Sequence, residues 1–216
     1  MTGRGRFITL EGGEGAGKST QAARLGEWLR GKVREVVLTR EPGGSPVAET
    51  IRELLLSGRV APFGPDAEAL VFALARADHL DRVIRPALRS GTWVICDRFT
   101  DSTRAYQGVA GASADYLDRL DDIAVGEDRP DLTLILDLPP QLGLTRLARR
   151  GQGLDRFEAD PVEMQERRRQ VFLDIAAREP GRCVLVDASR GEAEVAAAIL
   201  DIVTTRLLGS AADQGR

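Results

Sequence analysis

Five short runs of almost unbroken apolar residues recur along the chain, and they limit the fold more than any other feature. They are RFITLE at 6–11, EVVLT at 35–39, TWVICD at 92–97, LTLILD at 132–137 and RCVLVD at 182–187. Short runs without alternation predict strands covered on both faces. Between them lie longer segments at 19–31, 47–58, 66–91 and 161–181, where Leu, Val, Ile and Ala recur at helical spacing and Gly or Pro closes the end. Strand alternating with helix predicts an α/β layer fold, a five-stranded parallel sheet flanked by helices.

A length of 216 residues suits one domain with a substantial core. That domain is expected over 1–208, with a frayed tail at 209–216. A net charge of -3 argues against a surface built to grip nucleic acid, so any basic site must be concentrated. No apolar run approaches the roughly 20 residues of a membrane span, and the amino terminus lacks the pattern of a signal peptide. A cytoplasmic protein is the expectation. Cys96 and Cys183 both sit inside strand-like runs, which suits small buried hydrophobes better than a disulfide or a metal site. The single histidine, His79, excludes a multi-histidine metal centre.

The first strand runs directly into GGEGAGKST, in which Gly12, Gly17, Lys18 and Ser19 satisfy G-x-x-x-x-G-K-[ST] between a predicted strand and a predicted helix. Glycines at 12, 13, 15 and 17 let the main chain curl so that N–H groups from Gly13 to Thr20, Glu14 and Ala16 included, turn toward phosphate oxygens. Only Lys18 and Lys32 are lysines among 30 Lys+Arg, so Lys18 stands out. Its ammonium is a compact point charge able to sit between two phosphates, which the planar arginine fork is not. Ser19 is placed to offer a hydroxyl to Mg²⁺. The expected fold is therefore that of the P-loop NTPases, and the expected ligand a nucleoside polyphosphate.

Four further stretches follow the carboxyl ends of predicted strands, the edge where open parallel sheets bind ligands: TREPGGSP at 39–46, CDRFTDSTRAYQG at 96–108, RLARRGQGLDRFE at 146–158 and VDASR at 186–190. Asp97 ends a strand and can hold Mg²⁺ directly or through water, although strand-end Asp residues also serve as plain turn formers. Arg146, Arg149, Arg150 and Arg156, with glycines between them, read as a mobile cationic flap over 146–158. A solvated helix face is the plainer alternative. Arginines closing over a transferring phosphoryl group would stabilise its charge and exclude water.

With REPGG, DRF followed by AYQG, and an arginine-rich LDRFE in this order, the sequence resembles the thymidylate kinases, a family of nucleoside monophosphate kinases, from Phe7 to about Arg190. The resemblance implies ATP-dependent phosphorylation of dTMP with Mg²⁺, and a homodimer. It places Glu14 near the acceptor sugar, and Arg40 and Arg98 at the acceptor phosphate. Phe72 would stack on thymine, Arg76 would bind its carbonyl edge, and Ser102 and Gln107 would add polar contacts. Tyr106 would pack beneath the deoxyribose. Some members carry an arginine directly after the acidic residue of the phosphate loop. Here Gly15 follows Glu14, and Arg149, Arg150 and Arg156 fit the bacterial arrangement that puts catalytic arginines in the lid.

Periodicity by itself reads ALVFALARADHL as a core helix and Phe72 as a core residue. Another monophosphate kinase, a P-loop module that binds nucleotide without catalysis, and a deoxynucleoside kinase are the competing functions. The first would differ in the base pocket. The second would leave Asp97, Arg98 and the flap without purpose, and the third would need a carboxylate base at the sugar hydroxyl.

Overall fold

The computed structural model describes residues 3–33, 35–151 and 156–209, with Arg150 represented by its backbone only. All five predicted strands form: β1 (Phe7–Gly12), β2 (Val36–Arg40), β3 (Trp93–Asp97), β4 (Leu132–Asp137) and β5 (Cys183–Asp187). They pair in parallel in the order β2-β3-β1-β4-β5. Strand β1 lies at the centre with every residue buried. The chain leaves β1 toward one edge of the sheet and later returns to fill the other, so the crevice at the carboxyl end of β1 is the topological switch point.

The expectation that all five strands are covered on both faces holds for the central three and is corrected at the edges. Leu38 on β2 and Leu185 on β5 are 42% and 46% exposed, because an edge strand has one neighbour and incomplete helical cover.

Helices α1 (Lys18–Arg30), α2 (Pro46–Leu56) and α3 (Pro65–His79) fall where their periodicity predicted. Helix α2 begins with a strong start signal, since Ser45 accepts the Ala48 N–H and Pro46 fills the first helical position. The segment at 66–91 is not one regular helix. After α3 the chain makes a π turn over Leu80–Ile84, where the Arg85 N–H reaches the Leu80 carbonyl, before α4 (Arg85–Arg89). Pro86 has no N–H for a regular ladder, and the wider turn absorbs the break. Helices α5 (Thr100–Ala110) and α6 (Ala114–Ala124) follow β3, α7 (Pro140–Arg150) follows β4, α8 (Val162–Arg178) precedes β5, and α9 (Glu192–Val203) follows it and runs into a π turn over Thr204–Leu208.

Apolar packing divides between the two faces of the sheet. Leu25 and Leu29 of α1 and Val195, Ile199 and Val203 of α9 pack with Ile8, Leu10 and Leu134. On the other face Phe7, Val94 and Cys96 pack with Leu80, Ile84 and Leu117, while Phe172 and Ile175 of α8 cover Ile135. Both cysteines are free and buried. The carboxyl edge of the sheet stays open, and the loops there build the site. The tail at 210–216 lies outside the described residues.

Candidate active site

The phosphate loop forms as its glycines allow. Gly15 and Gly17 adopt positive φ values of 70° and 89°, and Gly17 leads straight into α1. At Gly15 the close approach of another backbone matters as much as φ. A Cβ there would lie 2.4 Å from the carbonyl oxygen of Gly143 in α7, and a Cβ on Gly143 would lie 2.4 Å from the carbonyl oxygen of Glu14. The loop and the helix therefore pack backbone to backbone, which leaves no room for an arginine after Glu14.

Lys18 is buried, and its ammonium donates to the carbonyls of Gly12 at 3.1 Å and Gly13 at 2.7 Å. Burial lowers its pKa, as does the nearby Arg98 cation, while Glu14 and Asp97 work in the opposite sense. Ser19 donates its hydroxyl to Asp97 Oδ2. Asp97 Oδ1 is buried without a hydrogen-bond partner. An orphaned carboxylate oxygen beside a serine hydroxyl is the hard-oxygen donor set that suits Mg²⁺. The sequence-predicted metal residues thus meet, and they fit the ion.

Arg98 follows Asp97 with φ 69°, the positive-φ residue other than glycine among those described. Such a conformation costs about 1–3 kcal/mol and persists only where surroundings hold it. Here the Arg98 N–H donates to the Leu10 carbonyl at 2.9 Å, and the Cys96 thiol donates to the Arg98 carbonyl at 3.1 Å. The turn aims the guanidinium at Glu14 Oε1, 2.7 Å away. Tyr106 donates its hydroxyl to the same oxygen at 2.6 Å. Burial disfavours the Glu14 anion, yet Arg98, Lys18 and Tyr106 together hold its pKa down at about 2. Burial also raises the Tyr106 pKa, so the phenol stays protonated as a donor.

Two cavities open on this constellation. One runs along the phosphate loop and is lined by Lys18, Ser19, Thr20, Arg40, Asp97 and Arg98, together with Arg146, Ala188 and Arg190. Arg40 pairs with Glu49 at 3.1 Å and remains half exposed. The second is lined by Phe72, Arg76, Ser102, Tyr106 and Gln107. The cavities share Glu14, Glu41, Arg52 and Arg98, so they meet end to end.

In the second cavity Arg76 is buried, its Nε held by Glu41 Oε2 at 2.7 Å and its Nη2 by Thr103 at 3.0 Å. Phe72 is only partly buried and faces the cavity, so its reading as a plain core residue is corrected. Its ring lies 6.5 Å from that of Phe157, which in turn meets Tyr106 edge-on at 5.5 Å. Phe157 in LDRFE and Glu41 in REPGG line this cavity as well, although neither residue type signals a role by itself. Arg52 carried no signal beyond its place on a helix face.

The flap differs from expectation. Arg146, Arg149 and the backbone of Arg150 belong to the regular helix α7, because LTRLARR keeps helical spacing up to Gly151, which caps it at φ 69°. Arg146 lines the phosphate cavity, whereas Arg149 is exposed on the surface. The Arg150 side chain and residues 152–155 lie outside the described residues. Arg156 lines neither cavity: it pairs with Glu68 at 2.5 Å, donates to the Leu55 carbonyl at 3.3 Å and stacks at 4.4 Å on Phe157, which does line the second.

A parallel sheet with a glycine-rich phosphate loop at its switch point, and a second cavity meeting that loop across a carboxylate and an arginine, defines a P-loop phosphotransferase. Residues 10–199 match the family model described as thymidylate kinase. The chain belongs to the thymidylate kinase family. It is 53% identical over 213 residues to a thymidylate kinase of Bradyrhizobium sp. (strain ORS 278), covering 97% of this chain and 94% of the relative. A thymidylate kinase of Afipia carboxidovorans is 52% identical over 208 residues, with 95% and 91% covered. The crystal structure of thymidylate kinase from Ehrlichia chaffeensis matches with a TM-score of 0.74 and 34% identity, over 93% of this chain and 99% of that one.

Proposed function

We infer that this chain transfers the γ-phosphoryl group of ATP to dTMP, giving ADP and dTDP, a step toward dTTP for DNA synthesis. The observation that carries the reading is the junction of the two cavities at Glu14 and Arg98. Two nucleotides laid in them would bring their phosphates together there. Along the first cavity the loop amides and Lys18 bind the ATP phosphates. In the second, Phe72 stacks on the base, while Arg76, fixed by Glu41 and Thr103, offers its remaining N–H groups to a carbonyl edge. Ser102 and Gln107 add polar contacts, and Tyr106 lies under the sugar.

Arg98 and Arg40 hold the acceptor phosphate in line. The attacking oxygen is already largely ionised near neutral pH, so no strong general base is required. Positioning and charge stabilisation carry the catalysis. Ser19 and Asp97 would hold Mg²⁺, which would supply positive charge against the donor phosphates. Arg146, which lines the phosphate cavity from α7, reaches the transferring group, while Arg149 on the surface and Arg156 on Glu68 would have to turn inward to join it.

A homodimer in the cytoplasm fits this reading. Val47 and Leu54 on α2 and Leu70 and Leu74 on α3 are exposed on two helices that pack together, the kind of apolar face that a second copy would cover. Buried free thiols suit a reducing compartment. No helix among the described residues is long and apolar enough to cross a membrane.

ADP release with ATP and Mg²⁺ tests the substrate against a panel of dTMP, dUMP, UMP, CMP, dCMP, AMP and thymidine. Strong preference for dTMP is expected. Preference for UMP or AMP would overturn the substrate and spare the kinase, while ATP binding without turnover of any acceptor would favour a non-catalytic module.

A further inference from the structure

Glu11 is fully buried near the end of β1 and lines neither cavity. A carboxylate withdrawn from water needs partners for both oxygens, and here one lies on the turn after Arg98 and the other on the first turn of α5. Oε1 accepts the Phe99 N–H at 2.7 Å, and Oε2 accepts the Ser102 hydroxyl at 2.6 Å. The Ser102 oxygen accepts in turn from Arg98 Nη1 at 3.1 Å. A continuous relay therefore runs from the guanidinium through Ser102 to Glu11. The neighbouring buried carboxylate, Asp101, is engaged elsewhere, by Arg182 at 2.7 Å and Arg104 at 3.1 Å.

We propose that Glu11 is a positioning residue for phosphoryl transfer, holding the Arg98 turn so that the guanidinium faces the junction of the two cavities. The chemistry of the position explains the residue type. Phe99 N–H and Ser102 O–H are both donors here, and the ionised carboxylate of Glu11 alone among side chains of this size offers two acceptors and no donor, so the kinetics are read at pH 8. The unusual φ of Arg98 needs such external hold, because the residue's own conformational preference would release it. Glu11 reaches Arg98 through the turn and through Ser102, from outside both cavities.

This inference rests on the kinase reading, so wild-type turnover with the monophosphate panel is measured first and tests that reading by itself. A double-mutant cycle with Arg98→Ala then follows, using whichever monophosphate turns over best. Glu11→Gln keeps the shape but turns one acceptor into a donor. It is expected to lower kcat/KM for the monophosphate by about 10- to 100-fold. KM for ATP should stay within about twofold, and in the Arg98→Ala background the same change should cost less than about threefold. Equal fold losses in both backgrounds, no loss in either, or a parallel rise in the ATP KM would overturn the proposal. Should Glu11→Gln fail to fold, Glu11→Asp keeps the charge but shortens the reach by one methylene, and it is read by the same cycle.

Discussion

Lys18 shows how much one residue can be asked to do. Its ammonium is buried against the carbonyls of Gly12 and Gly13, within the glycine-rich loop that leads into α1. Lys18→Ala should reduce turnover by about 10²- to 10³-fold while the far-UV circular dichroism stays unchanged. Near-normal turnover would remove Lys18 from the chemistry. The two carboxylates flanking the loop titrate in opposite senses. Burial and Asp101 push Glu11 up to about 7, against Ser102, Arg98 and the Phe99 N–H, whereas Glu14 is held down at about 2. Relative to the ordinary value of 4.5, the folded protein binds the Glu11 proton more tightly than the unfolded chain does. That contribution to stability is complete below pH 4.5 and is lost as pH rises to about 7. The Glu14 contribution is present above pH 4.5 and is lost as pH falls toward 2. Urea unfolding of Glu11→Gln should therefore show less decline in stability between pH 5 and pH 8 than the wild type, by on the order of 3 kcal/mol. Identical slopes would mean that Glu11 does not titrate in that window.

At the scale of elements, the phosphate loop and α7 are joined through Gly15 and Gly143, where neither position has space for a methyl group. Gly143→Ala should destabilise the protein by about 1–3 kcal/mol and raise the KM for ATP, because either the loop or the helix must move. Thermal melts and ATP titrations would read both effects, and an unchanged KM would show that the helix alone gives way. This contact also marks what the sequence could and could not disclose. The apolar runs predicted all five strands closely, since burial on two faces leaves a local signature. The departure at Gly15 was visible as a missing arginine, but its cause lay in a backbone far along the chain. The flap differs for a related reason: LARRG reads as loose when only its charge and glycines are weighed, while helical spacing continues to Gly151. Helix α5 carries AYQG within its own helical period, so one stretch serves both the fold and the second cavity. The roles of Glu41 and Phe157 depend on partners far away in the chain, Arg76 for one and Phe72 for the other, and nothing local reveals such pairings.

For the whole molecule, the division of labour follows the sheet. Its carboxyl edge carries both cavities, and four of the exposed large apolar residues, Val47 and Leu54 on α2 and Leu70 and Leu74 on α3, share one packed pair of helices. Sedimentation equilibrium should give a dimer, and Leu70→Glu with Leu74→Glu should give a monomer. A wild-type monomer at micromolar concentration would refute the assembly. The site was legible in the sequence wherever a motif bound a fixed chemistry, as with Lys18, Ser19 and Asp97, and the three do meet in space. The paired glycines at 15 and 143 carry one more implication, for the history of such chains. Any lineage that acquires a larger residue at one of these positions must already tolerate, or soon acquire, a displaced helix at the other, so the two sites should drift together across descendants rather than singly.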